Sequence, residues 1–208
     1  VRTRQRRRYF SRLMIYTVGH SNHPIGHFLE LLQGRGVTLL ADVRSTPYSR
    51  FNPQFRRDAL TAALAASGIS YLFLGEELGA RSKDPSCYDA GRVSYGKLAA
   101  TELFRQGIDR LLAAAKTHTV AIMCAEKDPL DCHRTILVAR ELVKRGEPVA
   151  HILASGEVES HEQVMEHLRE RLKIEAADLF SDDVNEQAYE LRGQQIAYVD
   201  PKAGRASK

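Results

Sequence analysis

Short apolar runs alternate along this chain with segments whose apolar positions recur at helical spacing, an alternation that predicts strands interleaved with helices. Residues 15–18 (Ile-Tyr-Thr-Val) read as a buried strand that stops at Gly19-His20-Ser21. Pro24 then suits the first turn of a helix with Phe28, Leu31 and Leu32 on one face, closed by Gly34 and Gly36. A second strand is predicted over residues 37–43, a loop with two prolines over 46–53, an Ala- and Leu-rich helix over 55–66 and a third strand over 69–74. Residues 75–96 lack periodicity and read as a long insertion carrying Glu76, Glu77, Arg81, Tyr88 and Tyr95. Loops of that length in compact domains are usually functional or mobile.

The pattern resumes with one helix over residues 95–115 and a strand over 119–124. After Asp131, an N-cap residue type, a helix presents Ile136, Ala139, Leu142 and Val143 at helical spacing. A fifth strand follows over 148–153, and Ser160-His161-Glu162-Gln163 is a capping-box signature opening a helix with Val164, Leu168 and Leu172 on one side. Beyond Glu175 the periodicity fades. The fold expected is a single α/β domain whose largely parallel five-stranded sheet carries helices on both faces, Rossmann-like but without the glycine fingerprint of dinucleotide binding. It is assigned to residues 14–175, with a disordered basic leader (1–13) and a partly disordered C-terminal extension (176–208).

Composition narrows the class. No apolar stretch approaches membrane-spanning length and no secretory pattern follows the basic N-terminus, so no membrane partner is expected. Three cysteines at spacings unlike a disulfide framework suit free thiols in a reducing, cytoplasmic setting. The net charge of +4 is concentrated at the ends, because residues 14–199 carry 21 basic against 25 acidic side chains. The folded part is mildly acidic, which argues against nucleic acid as its broad electrostatic partner; a nucleic-acid role for the six leader arginines is the weaker reading.

Three strand exits carry polar groups that buried strands do not need: His20-Ser21, Asp42 with Arg44, and Cys124 with Glu126. Parallel strands emerge on one edge, where ligands of open α/β sheets bind. Cys132-His133-Arg134 opens the following helix, where the helix dipole and nearby cations favour a thiolate. Cys132 is therefore a candidate nucleophile, while Cys124 also reads as core filling. Arg44, Arg50 and Arg134 are candidates for a bound anion, with a structural ion pair to Asp42 or Glu126 the equal alternative for Arg134. A metal site from Cys124, Cys132, His133 and His20 ranks lower, since the eight-residue step between the thiols is not a zinc-knuckle spacing; the site as expected is metal-free, its cofactor unspecified. The other histidines, His151 and His161 among them, read as surface, cap or satisfied half-buried groups.

Taken together, Tyr16-Thr17-Val18-Gly19-His20-Ser21, Asp42-Val43-Arg44-Ser45-x-Pro47-x-Ser49-Arg50, Gly68-Ile69-x-Tyr71, Leu78-Gly79 and Cys124-Ala125-Glu126-Lys127-Asp128-Pro129-x-x-Cys132-His133-Arg134 resemble the domain-of-unknown-function 488 family over residues 14–156. Ala80 departs from the second glycine often found there. The resemblance implies a fold and signature positions, in a family that is uncharacterised. On residue chemistry alone, the expectation is a small hydrolase or transferase acting on a phosphate- or carboxylate-bearing molecule, nucleotides included. Cys132, His133, Glu126, His20 and Asp42 would do the chemistry; Ser21, Arg44, Arg50, Tyr71, Cys124 and Arg134 would hold the substrate. A non-catalytic nucleotide or nucleic-acid binding module, or a metal-binding protein, is the alternative.

Overall fold

The computed structural model describes residues 14–174 and 182–201. The expected leader lies outside the described residues. Strands β1 (Ile15–Gly19), β2 (Leu39–Asp42), β3 (Ser70–Phe73), β6 (Val120–Cys124), β7 (Val149–Ile152) and β8 (Val158–Ser160) form one sheet in the order β3-β2-β6-β1-β7-β8. A separate two-stranded ribbon, β4 (Tyr88–Asp89) and β5 (Arg92–Val93), is built within the insertion and turns on Ala90 and Gly91, both at positive φ. All pairings of the main sheet are parallel except β7 with β8. The sheet therefore has six strands where the sequence predicts five. The added strand is three residues, two half-buried and one exposed, following the turn at Gly156, too short and too polar to stand out as a pattern.

Each face of the sheet has its own core. Val18, Leu40, Ala121, Met123 and Ile152 pack under α1 (Ile25–Gln33) and α2 (Arg57–Ala66), whose buried Phe28, Leu31, Leu32, Leu60 and Leu64 face them. The alternate strand positions Ile15, Leu39, Ala41, Ile122 and Val149 pack beneath α3 (Tyr95–Ala99), α4 (Glu102–Ala115), the 134–144 helix, α6 (His161–Leu172) and α7 (Asp182–Ile196). The helix predicted over 95–115 is broken at Thr101, whose hydroxyl caps α4 by accepting from the Phe104 N–H. The capping box at Ser160 and Gln163 forms as its sequence predicts. The described part of the C-terminal extension is helical over Asp182–Ile196, and Val199 beyond it bridges to Arg92. Apolar spacing could not announce α7, because ion pairs from Arg140 to Glu186 and Glu190 help to hold it while only a few apolar side chains, Ala188 and Tyr189 among them, are buried.

A buried polar chain ties these layers together: Thr17 Oγ1 to His151 Nδ1 (2.8 Å), His151 Nε2 to His161 Nδ1 (2.9 Å) and His161 Nε2 to the Tyr189 hydroxyl. Burial pushes His161 down to about 4 and His151 well below its ordinary value. The unfolded chain protonates both near pH 6.5, whereas the fold resists, so stability is complete above that pH and declines as pH falls toward 4. His161 alone accounts for a loss on the order of 3 kcal/mol across that interval. Urea midpoints between pH 7 and 4.5 check this: wild type should weaken steadily and His161→Phe should weaken less. A wild-type stability that is flat with pH would contradict it.

Candidate functional site

Register places the carboxyl ends of the central strands side by side, Gly19 opposite Cys124 and Asp42 opposite Met123. From β1 the chain runs to one side of the sheet, through β2 and β3, with its helices on one face. From β6 it runs to the other side, to β7, with its helix on the opposite face. This reversal opens a crevice where ligands bind in such sheets. A cavity of about 550 Å³ lies there, lined by His20, Ser21, Arg44, Arg81, Cys124, Glu126 and His133 together with Ser45, Tyr48 and Tyr95. A larger hollow of about 780 Å³, beside His23, Leu153 and His167, holds neither thiol and none of the expected arginines.

Asp42 is fully buried and saturated. Its Oδ1 accepts from the Arg44 backbone N–H (3.1 Å) and Nε (2.9 Å), and its Oδ2 accepts from Arg44 Nη2 (2.6 Å) and the Tyr71 hydroxyl (2.8 Å). It thus holds Arg44 in place rather than facing a substrate, and Tyr71, expected as a contact residue, does not line the cavity. Arg44 Nη1 donates to His20 Nε2 at 3.1 Å, and His20 Nδ1 donates to the Ser21 carbonyl at 2.8 Å. Burial first, then the charge of Arg44, push His20 down to about 4. With both ring nitrogens engaged and the ring stacked on Phe55, His20 is neutral at physiological pH and not free to shuttle protons. Ser21, at φ 49°, turns the chain sharply beside it.

The helix after β6 starts differently from its prediction. A 3₁₀ turn (Pro129–Asp131) ends in Cys132, whose backbone is extended; His133 is the cap, and a π-helical segment (Arg134–Ala139) runs into α5 (Arg140–Lys144). Such π segments are frequent at functional sites. Arg134 is 0% exposed and reaches into the loop: its Nη1 donates to the Glu126 carbonyl at 2.7 Å and its Nη2 to the Lys127 carbonyl at 3.3 Å, while its buried Nε has no hydrogen-bond partner among the described residues. It is not among the residues that line the cavity. Neither side-chain ion pair weighed for it is formed, because it reaches the backbone carbonyl of Glu126 and not the carboxylate. Arg50 is exposed beside Phe51 and also lies outside the cavity lining.

Cys124, Glu126, Cys132 and His133 converge so that their ligating atoms all lie within 4.8 Å of one another. Cys132 Sγ donates to Glu126 Oε2 at 3.0 Å, Cys124 Sγ is 3.5 Å from His133 Nδ1, and His133 Nε2 donates to the Val43 carbonyl at 3.1 Å. Both thiols are shielded, at 1% exposure for Cys132 and 3% for Cys124, and only Cys124 reaches the cavity wall. Burial opposes a thiolate at Cys132, but the bond with Cys124 and the charges of Arg134 and His133 outweigh it and bring its pKa well below normal. Burial and the proximity of Cys132 push Cys124 up. Glu126 is exposed as a residue, yet its carboxylate tip turns inward, and desolvation followed by the charge of Cys132 raises its pKa.

Arg81 is the main contributor absent from the expected set. The insertion delivers it: its backbone N–H donates to Ser45 Oγ (3.1 Å), and Gly79 allows this approach because a Cβ there would sit 2.3 Å from the Gly75 carbonyl oxygen. Its guanidinium stacks on Tyr198, from beyond α7, and makes no ion pair among the described residues. The length of the insertion and the Leu78-Gly79 motif were the available signals; Tyr198 had none.

Comparison with known proteins adds one match. The family model described as Domain of unknown function DUF488 covers residues 24–140. No curated protein and no solved structure matches the chain. Among the described residues no helix is long and apolar enough to cross a membrane.

Proposed function

The chain belongs to the DUF488 family, and since that name supplies no reaction, we propose from the geometry that it is a hydrolase for a small anionic substrate bound at the carboxyl edge of the sheet. The observation that carries this reading is a single cavity whose lining brings together Arg44, Arg81, Glu126 and the hydroxyl-bearing Ser45, Tyr48 and Tyr95. Arg44, fixed by Asp42, and Arg81, without a carboxylate partner among the described residues, hold the anion. Glu126 takes a proton from water, and the water oxygen bonds to the electrophilic carbon or phosphorus. The leaving group departs with the electron pair of the broken bond and with the proton that Glu126 returns. Cys132 does not serve as nucleophile in this scheme, because it is 1% exposed and does not line the cavity. A flat ring in the substrate, as in a nucleotide, is favoured by Tyr48, which is 60% exposed at the cavity lip with Arg56 over its ring at 4.6 Å.

Two variants test the proposal. Thermal-shift titration with phosphate, pyrophosphate and nucleoside phosphates should raise the melting temperature of wild type and have little effect on Arg81→Gln. Among hydrolytic substrates then screened, Glu126→Gln should lower kcat by about 10²–10⁴-fold while leaving anion binding intact. If no such anion stabilises wild type at millimolar concentration, the proposal is rejected.

A further inference from the structure

We propose that Cys124, Cys132 and His133 hold a divalent metal ion, zinc by their donor set, with Glu126 beside its fourth position on the cavity side. Binding does not depend on the hydrolytic reading; only the ion's use in catalysis rests on that reading.

Four independent features of the cluster point the same way. Zn–S and Zn–N distances of about 2.3 and 2.0–2.1 Å in a tetrahedron require ligand atoms roughly 3.5–3.8 Å apart. Here Cys124 Sγ and Cys132 Sγ lie 3.5 and 3.9 Å from His133 Nδ1, and all four ligating atoms fall within 4.8 Å, so small side-chain rotations suffice to close the site. The orientation of His133 is also right. Its Nε2 donates to the Val43 carbonyl, which turns Nδ1 toward the two sulfurs, the arrangement by which metal-bound histidines are usually oriented. In addition, the Arg134 backbone N–H points at Cys132 Sγ (3.4 Å), a bond that offsets the charge of a ligating thiolate. Finally, the ligands stand on rigid elements, the end of β6 and the start of the π-helical segment, with Arg134 pinning the intervening loop.

The donor set also selects the ion. Two thiolates and an imidazole suit zinc and exclude magnesium or calcium. Three protein ligands with an open position, rather than four Cys or His, is the pattern of a catalytic centre. An ion there would lower the pKa of a water at that position, beside the carboxylate of Glu126. His20, the fourth ligand suggested by sequence, is unsuitable because both its ring nitrogens are engaged. No other cluster of this kind occurs among the described residues, and the third thiol, Cys87, is buried apart.

The full chain, purified without chelator and without a metal-binding tag, should contain one zinc per molecule by elemental analysis. Chelator-stripped protein titrated with Co²⁺ should develop a thiolate-to-cobalt charge-transfer band and the ligand-field bands of a tetrahedral site, saturating at one ion per chain. This measurement on wild type needs no variant to fold. Cys132→Ser and Cys124→Ser should lose the charge-transfer intensity in steps, Cys87→Ala should keep it, and Arg81→Gln should bind cobalt as wild type does while losing anions. Three outcomes overturn the proposal: substoichiometric metal with no charge-transfer band on cobalt addition, an unchanged band in both cysteine variants, or a Cys124–Cys132 disulfide as the resting state. None of the three bears on anion binding, which fails or stands by the Arg81 titration.

Discussion

Asp42→Asn should destabilise the fold by about 3–5 kcal/mol, the range seen when one partner of a buried ion pair is removed. The substitution is nearly isosteric, so packing is not the cause. Four donors converge on the carboxylate: the Arg44 N–H, Nε and Nη2 and the Tyr71 hydroxyl. An amide can accept two of them on its oxygen, and it turns its own N–H donors toward the other two. The Arg44 guanidinium, itself buried, is left without a counter-charge, and its bond to His20 loses its anchor. Urea denaturation measures the loss, and Tyr71→Phe, which removes one donor and leaves the ion pair, provides the scale at about 1 kcal/mol. Equal effects for the two variants would show that the carboxylate's charge is not what matters.

Gly19→Ala should cost about 3 kcal/mol, at the upper end of overpacking, because the obstacle is backbone. A Cβ on Gly19 would lie 1.9 Å from the Glu126 carbonyl oxygen and 3.2 Å from Arg134 Nη2. The loop would have to move, and with it the bonds from the His20 N–H to the Cys124 carbonyl and from the Ser21 N–H to the Ala125 carbonyl, both 2.9 Å. The same displacement shifts the 124–126 loop, which lines the cavity and carries the Cys124 thiol, so anion-dependent and metal-dependent signals should fall along with stability. Gly26→Ala is the matched control. It lies in α1 with nothing within 4 Å of its added Cβ, and it should stabilise by up to about 1 kcal/mol through helix propensity. A Gly19→Ala protein with wild-type stability would mean that the 124–126 loop is not clamped to the end of β1.

Local signals carried the architecture. Buried parallel strands need unbroken apolar runs and the covering helices need a 3.6-residue period, so five strands and most of the helices could be read directly from spacing. The capping box at Ser160 is local chemistry of the same kind. What escaped was held by long-range or polar forces. β8 is defined by pairing with β7, and α7 is secured in large part by the ion pairs of Arg140; neither leaves an apolar period.

For the candidate site, sequence alone determined which residue types leave the strand ends, and the parallel direction of the strands implied a common edge for them. It could not say where each side chain points, because direction depends on what surrounds the last residue of each strand. Only the tertiary structure decided that Arg134 faces inward to two carbonyls while Arg81, from the insertion, faces the cavity. Only it decided that His20 is engaged at both nitrogens and that His133 turns Nδ1 toward two sulfurs. The physical reason is that burying a polar group is costly unless it is hydrogen-bonded, and packing sets which partners are in reach: His20 meets Arg44 and His133 meets the Val43 carbonyl across the sheet edge, contacts that no local pattern announces.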